Sequence, residues 1–323
     1  MRMLVTGGAG YIGSVVAKQL LGAGHEVVVL DDLSRGHAAA LAPGAEHANV
    51  SLLDPAGLDG AFDDVDGVLH FAALALVAES VEHPERYWRN NVVGTLNLLD
   101  AMRAHGVGRL VFSSTCATYG EPENIPISED EPTAPVNSYG ASKLAVDLMI
   151  RDECTAHGLA AASLRYFNVA GASGELGEDH EPETHLIPLV LQAAAGTREH
   201  VTVFGTDYPT RDGTAVRDYI HVEDLGEAHL LALDALERGT HRIFNLGTGD
   251  GFTVREVIEA ARRVTGREIA VVEEGRRPGD PPELVAANAR AREILGWAPR
   301  RGLDEMIADA WAWHQAHPHG YGG

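Results

Sequence analysis

Gly7-Gly8-Ala9-Gly10-Tyr11-Ile12-Gly13 is the stretch on which the fold turns. It follows the strand-like run Met3-Leu4-Val5-Thr6 and opens an amphipathic, helix-like stretch over 13–23. It holds Gly8-x-Gly10-x-x-Gly13 and equally Gly7-x-x-Gly10-x-x-Gly13. Glycine lets the backbone turn tightly and lets a pyrophosphate approach, while the next helix offers free N–H groups and the positive end of its dipole. An isolated glycine-rich turn would look the same. Here the context speaks for a dinucleotide: a strand precedes, a helix follows, and a second strand, Val27-Val-Val-Leu30, ends at Asp31. A carboxylate there accepts both ribose hydroxyls and repels a 2′-phosphate, so NAD rather than NADP is expected. Asp32 could bind beside it or cap the next helix.

Outward from this turn, short apolar runs at 26–30, 67–71, 109–113 and 161–166 alternate with helix-like stretches at 88–104 and 138–157. Near-continuous apolar strands between helices predict an α/β fold, a Rossmann-type doubly wound parallel sheet covered on both faces. After about Gly171 the texture becomes rich in Gly, Pro, Asp and Glu. Arg242-Ile-Phe-Asn-Leu246 then reads as another buried strand, with a helix from about Thr253. The expected organisation is a cofactor domain over 1–170 with a return around 218–250, and a smaller, interleaved α/β substrate domain over 171–323.

Ligands of such a sheet sit beyond the carboxyl ends of its strands. The strand at 109–113 runs into Ser113-Ser-Thr-Cys-Ala-Thr-Tyr-Gly120, which places Thr115 there. In Asn137-Ser-Tyr-Gly-Ala-Ser-Lys143, Tyr139 and Lys143 are four apart and share a helix face. A lone Tyr is a weak base, and an adjacent ammonium favours its phenolate. The pair predicts a Tyr139 base of lowered pKa, with Lys143 the cation beside it and Thr115 bridging to a substrate hydroxyl. Thr115 could equally cap backbone.

The chain has 323 residues, 45% hydrophobic, and a formal net charge of −22. That balance argues against nucleic acid and anionic membrane surfaces, and it obliges any anionic substrate to find a local group of Arg. Two cysteines, Cys116 and Cys154, make a disulfide framework unlikely. Cys116 reads as a small buried filler. The first residues show no charged region followed by an apolar one, and no run reaches membrane-spanning length, so a cytoplasmic address is expected. His314, His317 and His319 read as a solvated tail. No zinc-like spacing with a supporting carboxylate stands out, and no metal is expected.

The residues that carry a family likeness run nearly end to end. They are the loop at 7–14, His70-Phe-Ala-Ala73, Asn90-Asn-Val-Val-Gly-Thr95, the run at 112–120, Tyr139 to Lys143, Leu164-Arg-Tyr-Phe-Asn168, Phe204-Gly-Thr-Asp-Tyr-Pro-Thr210, Val216-Arg-Asp-Tyr-Ile-His221, Asn245-Leu-Gly247, Arg277-Pro-Gly-Asp280 and His317-Pro-His-Gly-Tyr321. With these the chain resembles the extended short-chain dehydrogenase/reductase family, and within it the UDP-glucose (UDP-galactose) 4-epimerases. The resemblance implies NAD-dependent epimerisation at C4 of a UDP-hexose through a transient 4-keto sugar. It implies cofactor contacts at Gly7, Gly10, Tyr11, Ile12, Gly13, Asp31, Asp32, Ser51, Leu52, Phe71, Ala72, Ala73, Asn90, Ser113 and Tyr166, besides Tyr139 and Lys143. For the UDP-sugar it implies Thr115, Asn168, His185, Leu186, Thr202, Val203, Phe204, Arg217, Arg277, Asp280 and Leu284. Arg217 and Arg277 are then the expected cations, since guanidinium forks suit a diphosphate. Family members pair through helices such as 88–104 and 138–157, which implies a homodimer.

Related dehydratases share the Tyr/Lys pair but carry an Asp-Glu pair after the Thr; Cys116 and Ala117 stand here and cannot relay those protons. A non-catalytic NAD sensor on the same scaffold would commonly lose Tyr or Lys. Three positions depart from the epimerase pattern. Leu74 and Ala75 stand where a cofactor-contacting Lys is usual. Ser51 stands where an Asp usually meets the adenine amine. Leu284, four beyond Asp280, has intermediate bulk where a small residue admits N-acetylated sugars, so UDP-glucose and UDP-galactose are favoured over N-acetylhexosamine, pentose or uronic acid derivatives.

Overall fold

The computed structural model describes residues 1–277 and 279–322; Pro278 of the Arg277 to Asp280 motif lies outside the described residues. Seven strands form one parallel sheet. They are β1 (Arg2–Thr6), β2 (Glu26–Leu30), β3 (Glu46–Ala48), β4 (Gly67–His70), β5 (Arg109–Thr115), β6 (Ala160–Tyr166) and, later in the chain, β11 (His241–Leu246). The intervening short strands are β7 (Asn168–Ala170), β8 (Val201–Phe204), β9 (Val216–Arg217) and β10 (Tyr219–His221), and β12 (Phe252–Thr253), β13 (Val271–Glu274) and β14 (Glu283–Leu284) follow. The helices are α1 (Tyr11–Gly22), α2 (Pro55–Asp59), α3 (Val77–Glu82), α4 (Pro84–Tyr87), α5 (Gly94–Ala104), α6 (Ser138–His157), α7 (Leu186–Ala195), α8 (Val222–Asp234), α9 (Val254–Thr265), α10 (Ala289–Leu295) and α11 (Leu303–Ala316).

The sheet order is β11-β6-β5-β4-β1-β2-β3. The chain winds outward from β1 in one direction, then returns to β4 on its other side. That reversal opens a crevice at the carboxyl ends of β1 and β4, where doubly wound sheets hold ligands. Val, Leu and Ala fill both sheet faces because both are covered. Val16, Ala17 and Leu20 of α1 and Leu225 and Ala228 of α8 pack on one face. Leu98, Leu99 and Met102 of α5 and Val146 and Ile150 of α6 pack on the other. Each fully buried Leu or Val contributes about 1.5–3 kcal/mol relative to exposure, so the two faces fix the crevice firmly.

A third core joins Ile187 and Val190 of α7, Val201 and Val203 of β8, Val257 and Ile258 of α9, and Met306 and Ile307 of α11. Ala291, Leu295 and Trp297 instead rejoin the first sheet face. The chain therefore comes back to the sheet a second time, later than the return foreseen around 218–250.

Two local forms differ from the sequence expectation. The helix foreseen over 88–104 begins as a π-helical stretch, Trp88–Val93, before α5. Asn91 lies inside it and clamps the loop after β4, accepting from Leu74 N at 2.8 Å and donating to Leu74 O at 3.0 Å. The terminal histidines are not a solvated tail. His317 stacks on Trp313 at 4.8 Å between ring centroids, His314 and His317 are half-buried, and only His319 is exposed. Among the described residues no helix is long and apolar enough to cross a membrane.

Candidate active site

The 7–13 turn ends β1 and starts α1. Gly7 has φ +71°, the left-handed region that favours glycine, and a Cβ there would lie 2.6 Å from Ala72 N. A Cβ on Gly13 would lie 2.2 Å from Gly7 O. The turn can therefore close only without side chains. Gly10 caps α1 with no side-chain hydrogen bond, so the first N–H groups of the helix face the crevice. Asp31 closes the turn from β2: its Oδ2 accepts from Ala9 N at 3.0 Å and its Oδ1 from Leu33 N at 2.9 Å. Burial raises its pKa, and those two backbone donors oppose the rise. A side-chain-free cradle at a helix N-terminus, with a carboxylate at the end of β2, fits an NAD pyrophosphate and ribose.

The structure keeps Phe71, Ala72 and Ala73 half-buried beside this turn, with Phe71 N and Ala72 N both donating to Thr6 O. Asn90 is half-buried in the π-helical stretch. Behind the loop lies a buried relay. Thr95 Oγ1 donates to Asn91 O at 2.6 Å, so it accepts from His70 Nε2 at 2.8 Å, and His70 Nδ1 then accepts from Thr6 Oγ1 at 2.7 Å. Desolvation holds His70 neutral, pushing its pKa down to about 3.

Some expected cofactor contacts change character. Tyr11 spends its hydroxyl on Gly171 O at 2.6 Å and is buried, leaving its backbone N–H for the crevice. Leu52 turns its side chain into the core under α5. Ser51 Oγ accepts from Leu53 N at 3.4 Å and lies near enough to Asp32 to help lower its pKa. Asp32 accepts from Ser34 N at 3.0 Å, which closes an Asx turn rather than capping a helix. Ile12 is half-buried against the first sheet core.

Asn137 caps α6 through Oδ1, which accepts from Gly140 N at 2.8 Å. A Cβ on Gly140 would lie 2.4 Å from Ala117 O, so α6 presses directly on the turn that follows β5. This approach brings Tyr139, in the first turn of α6, beside Thr115 at the end of β5, close enough for the Thr115 hydroxyl to lower the phenol pKa. Thr115 Oγ1 also accepts from Ala117 N at 3.1 Å, so it caps backbone as well as meeting Tyr139. Lys143 lies one turn on, almost fully buried, with Nζ donating to Ser113 O at 2.8 Å and 4.8 Å from the Phe112 ring centroid. Ser113 Oγ and the Tyr166 hydroxyl hydrogen-bond each other beside it.

The electrostatics differ from the sequence expectation. Burial pushes Tyr139 up to about 12, with the Thr115 hydroxyl opposing. Burial also pulls Lys143 down to about 7, against the nearby Asp147 carboxylate. The ammonium turns to the Ser113 carbonyl rather than to the phenol. Desolvation therefore outweighs the expected lowering of Tyr139 by Lys143. The same effect drives the Cys116 thiol up to about 12, although the thiol lies near Arg217.

On the far side of the crevice the fold joins Arg217 to Asp280 in an ion pair, with Arg217 Nη2 also donating to Pro281 O at 2.9 Å. Leu284 of β14 sits opposite Arg217 in parallel register. The guanidinium of Arg277 lies over the Phe204 ring, 3.8 Å from its centroid. β8 alternates, so Thr202 and Phe204 are half-buried while Val203 enters the third core at 1% exposure. Val203 thus offers a ligand its backbone only. Asn168 donates to Asp218 O at 2.8 Å. His185 is turned toward Glu178, at 2.6 Å, rather than toward Arg217, and Leu186 packs on the third core.

Three features escaped the sequence reading. Asp218 is fully buried and accepts from Thr248 N, Thr248 Oγ1, Gly249 N and Ala286 N at 2.7 to 3.0 Å, tying two loops to the Arg217 strand. Asn91 is buried and holds Leu74, as described above; the doubled Asn90-Asn91 was its only signal. Glu178, His180, Glu183 and His185 converge. Their spacing, Glu-x-His-x-x-Glu-x-His, could have been read from the sequence.

The chain matches the model of the NAD dependent epimerase/dehydratase family over residues 3–247. It is 57% identical to a UDP-glucose 4-epimerase of Streptomyces lividans over 99% of this chain and 98% of that one. A crystal structure of UDP-glucose 4-epimerase from Brucella ovis in complex with NAD superposes with a TM-score of 0.93 at 47% identity, covering 96% of this chain and 97% of that one. One from Bifidobacterium longum in complex with NAD+ and UDP gives a TM-score of 0.94 at 36% identity over 99% and 100% of the two chains.

Proposed function

The chain belongs to the NAD-dependent epimerase/dehydratase family, and from that premise we propose that it interconverts UDP-glucose and UDP-galactose by reversible oxidation at the sugar C4. The observation that carries this reading is the meeting of Tyr139 and Thr115 at the end of β5, beside a side-chain-free cradle at the start of α1. A relative with 57% identity bears the same activity in its name.

The 7–13 turn would hold NAD with Asp31 at its ribose, and the bound group would supply the hydride acceptor and a positive ring charge. Tyr139 takes the proton of the sugar 4-OH, with Thr115 beside its phenolic oxygen. Thr115 orients the 4-oxygen. Lys143, which donates to Ser113 O here, would carry its cation to the nicotinamide ribose. The phenol needs such positive charge because burial alone opposes its ionisation. A sugar that must turn over between two hydride transfers cannot be gripped at its ring, so binding energy comes from the nucleotide. Arg217 and Arg277 hold the diphosphate, Asn168 supports it, and Thr202, Phe204 and Leu186 line the uridine side, with Val203 contributing backbone. Cys116 and Ala117 follow Thr115, and neither carries out the proton relay that a dehydratase requires.

The reading extends to a cytoplasmic homodimer. Trp88, Val93, Leu96 and Leu148 leave large apolar side chains exposed at 43–46% on the helical stretches expected to pair. Light scattering on the purified chain measures that mass. The function is tested by following UDP-galactose and UDP-glucose in purified protein, together with absorbance in the reduced-nicotinamide band after UDP-sugar is added. Interconversion with transient reduction supports the reading. Neither signal, across a panel that includes N-acetylhexosamine, pentose and uronic acid derivatives, overturns it.

A further inference from the structure

Outside this crevice, one cluster has the make-up of a ligand site. Glu178, His180, Glu183 and His185 each aim one donor atom at a common point, all within 4.8 Å of one another. Glu178 Oε1 lies 2.6 Å from His185 Nδ1 and 3.2 Å from His180 Nδ1. Glu183 oxygens lie 3.3 Å from His185 Nδ1 and 3.9 Å from His180 Nδ1. Four donors around a tetrahedral zinc at about 2.0–2.1 Å stand roughly 3.3–3.4 Å apart along each edge, and the four distances bracket that value.

Two further observations point to a bound cation. The Glu178 and Glu183 side chains are only 7% and 8% exposed, so two carboxylates are withdrawn from water with no Arg or Lys among their ion-pair partners in the described residues. Buried charges need neutralising, and among the described residues only His180 and His185 do so, the Glu178 contact raising the pKa of both against their burial. In addition, His180 Nδ1 is buried and faces Glu178 Oε1 at 3.2 Å in an ion-pair contact without good hydrogen-bond geometry. An imidazole nitrogen aimed into the cluster at two carboxylates can exchange its proton for a metal ion. Glu183 is likewise fixed in place, because its Oε1 accepts from Thr184 N and His185 N, each at 2.7 Å.

We propose that Glu178, His180, Glu183 and His185 form a closed site for one divalent first-row metal ion, zinc by geometry. Two imidazoles disfavour calcium and magnesium, and the absence of a thiolate among the four donors disfavours copper(I). Four protein ligands leave no open position, so the ion is structural rather than catalytic. It pins the loop that enters α7. That loop also accepts from Arg35 at Glu181 O, at 3.2 Å, and from Tyr321 N at Asp179 Oδ2, at 2.8 Å. The ion would therefore hold together the segment after β2, the chain end and the start of α7.

The test uses the untagged full chain, stripped with a chelator and titrated with zinc chloride against a chromophoric competitor. One zinc per chain is expected, with a Kd below about 1 µM. Glu178→Gln and His180→Asn should each weaken binding by more than the roughly 10–100-fold cost of losing an outer-shell partner. His317→Asn, near Glu175 and outside the cluster, should bind as the parent does. If the cluster variants fold poorly, zinc X-ray absorption on the parent decides: a shell of four nitrogen and oxygen ligands including imidazole sustains the site. No stoichiometric zinc in the parent, unchanged binding in folded cluster variants, or a sulfur or six-oxygen shell overturns it, leaving a histidine–carboxylate ion-pair cluster only.

Discussion

The 7–13 turn and the Arg217 neighbourhood face each other across the crevice and are built in opposite ways. The turn works by removing side chains: Gly7 and Gly13 have no room for a Cβ, and the donors are backbone N–H groups. The Arg217 side works by tethering side chains: Arg217 to Asp280, Arg277 over Phe204, and Asp218 to two loops. The first is fixed by a sheet buried on both faces. The second hangs on short strands and long-range ion pairs. A cofactor that stays bound suits the rigid side, and a substrate that comes and goes suits the tethered one.

Tyr139 stands between the two and gives the sharpest way to break this division. Tyr139→Phe should lower kcat by roughly 10²–10⁴-fold, the usual worth of a positioned acid or base. UDP affinity, measured calorimetrically, should stay within about twofold. Full turnover in the variant would remove Tyr139 from the chemistry. Arg217→Ala probes the tethered side. It should raise KM by roughly 10–100-fold, as for a lost hydrogen bond to a charged group at about 1.5–3 kcal/mol, while kcat falls less. A loss confined to kcat would move Arg217 from nucleotide binding to the reaction centre.

The rigid side predicts a contrast within a single helix. Gly13→Ala forces a Cβ against Gly7 O and should cost about 1–3 kcal/mol of stability, with loss of bound NAD. Gly22→Ala meets nothing within 4 Å and should be neutral or stabilising by up to about 1 kcal/mol. Thermal melting with NAD quantified in the same samples reads both, and equal behaviour of the two variants would show that the turn is not tight. Acid should also act on the sheet side. His70 and His229 are buried with pKa values pulled down to about 3 and about 4. Between those values and about 6.5 the unfolded chain binds more protons than the folded one, so stability falls as pH falls through that window. His229→Asn should flatten the upper part of the fall in a denaturant titration series.

Legibility in the sequence follows the same line. Strand runs at 26–30 and 109–113, the turn and Asp31 are local patterns, and the sheet's burial on both faces makes such patterns reliable. That Val203 turns its side chain into the core was not legible, because a period of two sends alternate side chains of β8 to opposite faces, which a run of consecutive pocket positions does not encode. Asp218 was hidden because its partners lie 30 and 68 residues away, at Thr248 and Ala286. The expected lowering of Tyr139 assumed that charge proximity decides its pKa. Whether burial or an ammonium wins depends on where Nζ points, and spacing on a helix does not carry that.

The smallest effect tests where the two building styles meet. Leu74 and Ala75 stand where a cofactor-contacting Lys is usual, yet the loop is already anchored, because Asn91 holds both the N–H and the carbonyl of Leu74. Ala75 is exposed and Leu74 half-buried. Ala75→Lys can therefore add a cation without displacing a packed side chain, whereas Leu74→Lys must disturb one. If backbone donors and the turn suffice for NAD, Ala75→Lys should change NAD retention after exhaustive dialysis by less than about twofold, a fraction of the roughly 0.5–1 kcal/mol typical of an exposed charge contact. A large gain in retention would show that the cradle alone holds the cofactor weakly. The rigid side would then also need a tethered charge, as the Arg217 side does.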